Sequence, residues 1–251
     1  MKNIPAGMVG LVLMAVSIMF LWWVILSGVT SSTPIRHVYF LRADTSGIDG
    51  ARDVSQWNYW FICGYKNRDC GDTYAAPPFG YAWNANANNV PDGLGGRHGH
   101  HTTSYHMYYM WRFGWVFLLM TLFFEHLALF ASLVACCGRL GAAVASFMCY
   151  IALFWYTLAV SIITAVFCQA RHRFHRAGRS ARIGAWCFGF LWASYAGLLF
   201  ASILFSFGIR RGKEAAVATG ASRGRTGGGM WRRRSNRSQS YDGRRVKEEY
   251  S

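Results

Sequence analysis

Four long apolar runs constrain this chain most: Met8 to Val29, Phe113 to Cys137, Gly141 to Cys168 and Ile183 to Phe207. Each exceeds the roughly 20 residues with which a helix crosses a ~30 Å hydrocarbon layer. Glu125 and His126 form the one ionisable pair inside them. A helix buried in a soluble core ends sooner and keeps a polar face, so the runs specify an integral membrane protein. The expected fold is an all-α bundle of four transmembrane helices carrying a small disulfide-stapled extracellular β-sheet. Residues 1–29 form the N-terminus and first span, and residues 30–112 an extracellular loop domain. Residues 113–207 hold the other spans and short loops, and residues 208–251 a disordered basic cytoplasmic tail.

The formal net charge of +15 over 251 residues would suit a nucleic-acid partner if it were spread over the surface, but it is segregated. From Gly208 onward there are 12 Lys/Arg against 4 Asp/Glu, whereas Thr30 to Trp111 holds 6 of each sign. No nucleic-acid motif accompanies the charge. Basic residues directly behind a span instead contact an anionic inner leaflet. Arg210, Arg211 and Lys213, with Arg232, Arg233 and Arg234 further on, are the expected headgroup contacts. By the positive-inside rule they put the C-terminus in the cytoplasm. Four crossings then put the N-terminus inside too, with the first loop outside. One segment argues the other way: QARHRFHRAGRSAR, between the third and fourth runs, holds five Arg and lands outside. Those side chains would be solvated or face lipid phosphates or wall polymers.

The seven cysteines agree with the tail. Cys63 and Cys70 are the only two in the first loop, on the side where oxidation is permitted. A bridge between them would contribute about 2–3 kcal/mol. Cys136 and Cys137, at the inner end of the second span, are palmitoylation candidates, with simple packing as the alternative. Cys168 and Cys187 lie close enough to the outer face for a second bridge, and Cys149 belongs to the core. HVYFLRADTSGI and QWNYWFICGY have the pattern of extended segments. Asn84 to Thr103, rich in Asn, Gly and His, reads as an irregular loop.

Ala185, Gly189, Ala193, Gly197 and Ala201 recur every fourth residue in the last span. Such rows let helix backbones approach closely in lipid, and this one is expected to pack within the bundle, leaving a homo-oligomer as the other use. Ala128, Ser132 and Cys136 repeat the pattern in the second span. Glu125, with His126 beside it, sits at mid-membrane depth, where a charge costs several kcal/mol, so it should be protonated or paired. Tyr195, Tyr156 and Thr157 are the candidate hydroxyl partners. A proton or ion relay is the functional reading and an interhelical hydrogen bond the structural one. The His-rich Arg97 to His101 tract could ligate zinc or copper, but no spacing there matches a defined metal site. No phosphate loop, nucleophile elbow or acid/base pair is present in the sequence. The expectation is a protein that is not an enzyme and uses no cofactor.

Several stretches together resemble one family. They are Leu41 to Ile48 (LRADTSGI), then WNYWFICGY with a second cysteine six residues later, and the PPF of Pro77 to Phe79. Phe174 to Gly184 (FHRAGRSARIG) and the ending Arg244 to Tyr250 (RRVKEEY) follow in order. This chain resembles the SUR-seven/PalI family of fungal plasma-membrane proteins, and Trp60-x-x-Cys63...Cys70 is similar to the claudin-type tetraspan pattern. The resemblance implies a plasma-membrane organiser associated with eisosomes, endocytosis, sphingolipid balance and wall integrity. It implies that Trp57, Trp60, Cys63 and Cys70 hold the outer domain. It also implies that the tail meets eisosome scaffold proteins and anionic lipid, with sphingolipid or sterol as further partners. A transporter or channel built on Glu125, or claudin-like adhesion, is the alternative function. Glu125, His126 and the HGHH tract lie outside the family pattern.

Overall fold

The computed structural model describes residues 4–30, 32–33, 35–134 and 139–223, and divides into two compact units, Met1–Arg210 and Arg211–Ser251. Among the described residues, five α-helices and four short strands follow in the order α1 (Ile4–Ile25), β1 (Leu41–Asp44), β2 (Val54–Trp57), β3 (Ile62–Cys63), α2 (His98–His101), α3 (Tyr105–Val134), α4 (Arg139–Arg176), β4 (Ala181–Ile183) and α5 (Ala185–Arg223). Four of the helices are long and apolar enough to cross a membrane, within Gly7–Ile25, Tyr105–Leu133, Ala143–Arg176 and Ala185–Phe207.

These helices follow the apolar runs but overshoot them. α3 starts at Tyr105 and α4 ends at Arg176, so both continue roughly two turns beyond the runs on the same side. His106 and Gln169, read from sequence as loop residues, pair across these extensions at 3.0 Å. The extensions form a platform of aromatic side chains. Phe40 stacks on Phe167 of α4 at 4.9 Å between ring centroids, and Trp111 of α3 meets the same ring edge-on at 4.9 Å. At the other end α5 continues through Arg223 where a disordered tail was expected from residue 208. The segment KEAAVATGAS supplies helix-favouring alanines there.

The sheet rests on this platform. Its order is β3-β2-β1-β4, antiparallel throughout. The strands β1, β2 and β3 come from the two segments that read as extended, but β4 comes from the arginine-rich connection between α4 and α5. Pairing of Leu41 with Ile183 and Ala43 with Ala181 therefore ties the first loop to the last. Leu41, Ala43, Trp57 and Ala181 are buried on one face, and Arg42 and Arg182 stand on the other. Gly184, which joins β4 to α5, donates its N–H to Phe40 O at 3.1 Å. A Cβ at Gly184 would overlap the Tyr39 carbonyl, so only glycine lets strand and helix approach this closely.

Candidate functional site

The first loop carries its family-like residues into one cluster. Cys63 and Cys70 form a disulfide. Cys63 belongs to β3, and the loop behind it is fixed by Asn67, a buried side chain. The Asn67 N–H donates to Gln56 Oε1 at 2.9 Å, and its Nδ2 donates to the Ile35 and Val38 carbonyls at 3.2 and 3.3 Å. Trp57 is buried, and its Nε1 donates to the carbonyl of Phe79 at 3.1 Å, which fastens the PPF segment beneath the sheet. Its ring also lies 5.7 Å from that of Phe174 on α4. Trp60 sits edge-on to Trp115 at 5.0 Å. Tyr59 and Trp115 bond reciprocally: Tyr59 Oη donates to Trp115 O at 2.7 Å, and Trp115 Nε1 to Tyr59 O at 3.1 Å. Burial pushes the Tyr59 phenol well above its usual value. The two tryptophans thus key the loop into α3 and α4, while the disulfide braces the rim above the end of α1, where Cys70 Sγ lies 3.6 Å from Gly28 O.

Two of the five arginines read in the last connection, Arg173 and Arg179, have partners of their own. Arg173 Nη1 donates to Asp92 O at 3.4 Å, and Arg179 donates to Ser46 O at 2.6 Å and Asn89 O at 3.3 Å. These bonds stitch the Asn- and Gly-rich stretch, expected to be an irregular loop, to the end of α4. Leu94, inside that stretch, is fully buried. The HGHH tract forms α2, with Gly99 and His100 at positive φ of 58° and 56°. His98 packs among Tyr105, Tyr108 and Tyr109, and His100 stacks on Tyr81 at 5.6 Å. Among the described residues no three His, Cys, Asp or Glu side chains come together as metal ligands.

A second cluster lies inside the bundle. Glu125 of α3 is fully buried, and so are Ser17 of α1 and Ser194 of α5. Ser17 Oγ lies 2.8 Å from Glu125 Oε1, 2.8 Å from Ser194 O and 3.0 Å from Ser194 Oγ, and Ser194 Oγ donates to Ser17 O at 2.8 Å. The partner of Glu125 is therefore Ser17. The expected tyrosines are engaged elsewhere: Tyr156 Oη donates to Leu191 O, and Tyr195 pairs with Thr157. A proton count describes the cluster. With a proton on Glu125 Oε1, the carboxyl donates to Ser17 Oγ, Ser17 to Ser194 O, and Ser194 to Ser17 O. Every donor is then used once. An ionised carboxylate would face one hydroxyl donor, and among the described residues the single salt bridge is Arg52–Asp69, outside the bundle. His126 faces away from this cluster. Its Nδ1 lies 2.7 Å from Leu122 O, and its Nε2 receives the indole N–H of Trp22 at 3.4 Å.

Ser17 and Ser194 escaped the sequence reading because lone serines in apolar helices more often bond back to their own helix. Ser194 has one visible signal: it follows Ala193 in the small-residue row. The row itself divides. Ala201 is buried and a Cβ at Gly197 would lie 3.4 Å from Leu13 O, but Ala185, Gly189 and Ala193 are exposed, and a Cβ at Gly189 would meet nothing within 4 Å. Only the half of the row from Gly197 onward packs in the bundle. Ala128 and Ser132 are buried on α3. Cys168 and Cys187 are both free, Cys168 exposed and Cys187 buried, so the second bridge does not form. Cys149 is buried in the core. Arg210, Arg211 and Lys213 lie on α5. Cys136, Cys137 and Arg232, Arg233 and Arg234 lie outside the described residues.

Comparison with known proteins agrees with this architecture. The family model of the SUR7/PalI family matches residues 6–204. SUR7 family protein FMP45 of Saccharomyces cerevisiae is 33% identical over 179 residues, 69% of this chain and 56% of its own length. A plasma membrane protein of the same yeast, YNL194C, is 31% identical over 182 residues, 69% of this chain and 58% of its own. Protein SUR7 of Candida albicans is 31% identical over 202 residues, 78% of this chain and 71% of its own. The chain thus spans little more than half the length of the two yeast relatives. Four membrane-length helices, a disulfide-stapled sheet and a family match from the first span to the last lead to one assignment: this chain belongs to the SUR7/PalI family.

Proposed function

We propose that this protein is a non-enzymatic organiser of an eisosome-type microdomain of the plasma membrane, with roles in lipid packing, endocytosis and wall integrity. The observation that supports this most is how the residues that carry the family resemblance are used. Trp57, Trp60, Cys63, Cys70 and the PPF segment all go into bracing the sheet on α3 and α4, which builds a rigid head. The disulfide belongs to an oxidising compartment, so the sheet lies outside and both termini in the cytoplasm. Two of the five arginines that spoke against that sidedness, Arg173 and Arg179, are bound to loop carbonyls in the folded head. On the inner side the basic residues from Arg210 onward contact the anionic leaflet and an eisosome scaffold. Glu125 serves as an interhelical bond, since Ser17 occupies its Oε1 and both groups are sealed from solvent. A fluorescent fusion of the full chain in a fungal cell tests the assignment. Stable surface patches are the expected result, and a uniform surface signal overturns it.

A further inference from the structure

Opposite partners in an antiparallel ladder share a face with Cβ atoms about 4.5–5.5 Å apart, and like charges there destabilise the pair. Arg42 of β1 is opposite Arg182 of β4. Among the described residues neither guanidinium has a hydrogen bond or carboxylate partner; the one salt bridge joins Arg52 to Asp69. The carboxylate on the same face of β1, Asp44, is occupied: Ser46 donates to it from N and Oγ at 3.0 and 2.6 Å. The Arg42 guanidinium lies 5.5 Å from the ring centre of Tyr39 and 5.3 Å from that of Tyr65, and Lys66 Nζ lies 5.3 Å from the Tyr65 ring. Asn67 anchors this corner, so Tyr65 and Lys66 are held in place while remaining exposed.

The corner stands at the membrane boundary. Tyr39 is against Gly184, the residue before α5, and the loop ending at Cys70 is against Gly28, just past α1. α5 begins at this corner and carries the exposed half of its small-residue row. Helical spacing puts Trp186, 61% exposed, and Trp192, 45% exposed, on either side of the Ala185–Gly189–Ala193 face. Cations and tyrosines beside an exposed apolar helix face match an anionic headgroup over an acyl chain.

We propose that Arg42 and Arg182, with Lys66, Tyr39 and Tyr65 around them, hold the phosphate of an anionic phospholipid in the leaflet on the sheet side, its acyl chain lying along the Ala185–Gly189–Ala193 face of α5. The site depends on the membrane-spanning architecture and not on the microdomain assignment. The bound phosphate removes the repulsion between the two guanidinium groups, and the charge-assisted bonds hold the lipid.

Native mass spectrometry of the full chain, released from bilayers containing phosphatidylglycerol, tests the proposal. The wild type should retain the lipid, and Arg42→Gln/Arg182→Gln should lose roughly tenfold or more in retention. Gly189→Leu changes only an open position and puts a bulky side chain on the face where the acyl chain would lie, so it should weaken retention while melting like the wild type. It keeps the test valid if the double variant does not fold. Unchanged retention in either folded variant overturns the proposal. Millimolar inorganic phosphate should leave the lipid in place; displacement by it would show a site for free phosphate and overturn the lipid assignment.

Discussion

At the scale of single residues, two buried polar groups make sharp predictions. If Glu125 donates a proton to Ser17, Glu125→Gln keeps a donor at the same place and should melt within error of the wild type in nanodiscs. Ser17→Ala removes the hub of three contacts and should cost about 1–2 kcal/mol. Equal destabilisation by both changes would mean that the carboxylate form carries the interaction. Tyr59 predicts a pH response. Its phenol is raised in the folded state, so its contribution is fully present below pH about 10, where the unfolded chain is also protonated. Stability should fall as pH rises beyond that toward the folded value, because the unfolded state then releases a proton the folded state keeps. Thermal melts between neutral and strongly alkaline pH check this, and Tyr59→Phe should flatten the fall.

At the scale of elements, the sheet depends on a covalent staple and on a glycine. The Cys63–Cys70 bridge closes a short loop, and Cys63→Ser should cost about 2–3 kcal/mol, measured as a drop in melting temperature reproduced by mild reduction of the wild type. Gly184→Ala forces a methyl against the Tyr39 carbonyl and should cost about 1–3 kcal/mol. It should also release β4, seen as faster amide exchange at Ala181–Ile183. The first three strands were legible because β-branched and aromatic residues alternate with turn residues there. The fourth was not. ARI is too short and too charged to show a strand period, and its pairing with β1 spans well over a hundred residues of chain. The helix extensions were missed for a related reason: Tyr105 to Arg112 and Gln169 to Arg176 are polar, and hydropathy ends where the bilayer does.

At the scale of the whole molecule, the prediction concerns sidedness. If the staple lies outside and the basic end inside, as proposed, protease added to intact, wall-stripped cells should leave the C-terminal tail uncut and should reach the first loop. An epitope at the C-terminus reports the first, and loss of the tag on intact cells would reverse the arrangement. The four spans, the stapled sheet and the family were readable from residues alone, since each rests on local composition or on short ordered motifs.

The sequence by itself determined the class of molecule. Hydrophobic length fixes a crossing whatever the neighbours do, and a cysteine pair seven apart in an outer loop has a short list of partners. Only the tertiary structure decided which groups meet. It gave Glu125 a serine on α1 in place of the tyrosines, left half of the small-residue row exposed, and turned a cationic loop into a strand beside β1. These are long-range pairings, set by where backbones can approach. No periodicity within one segment records them.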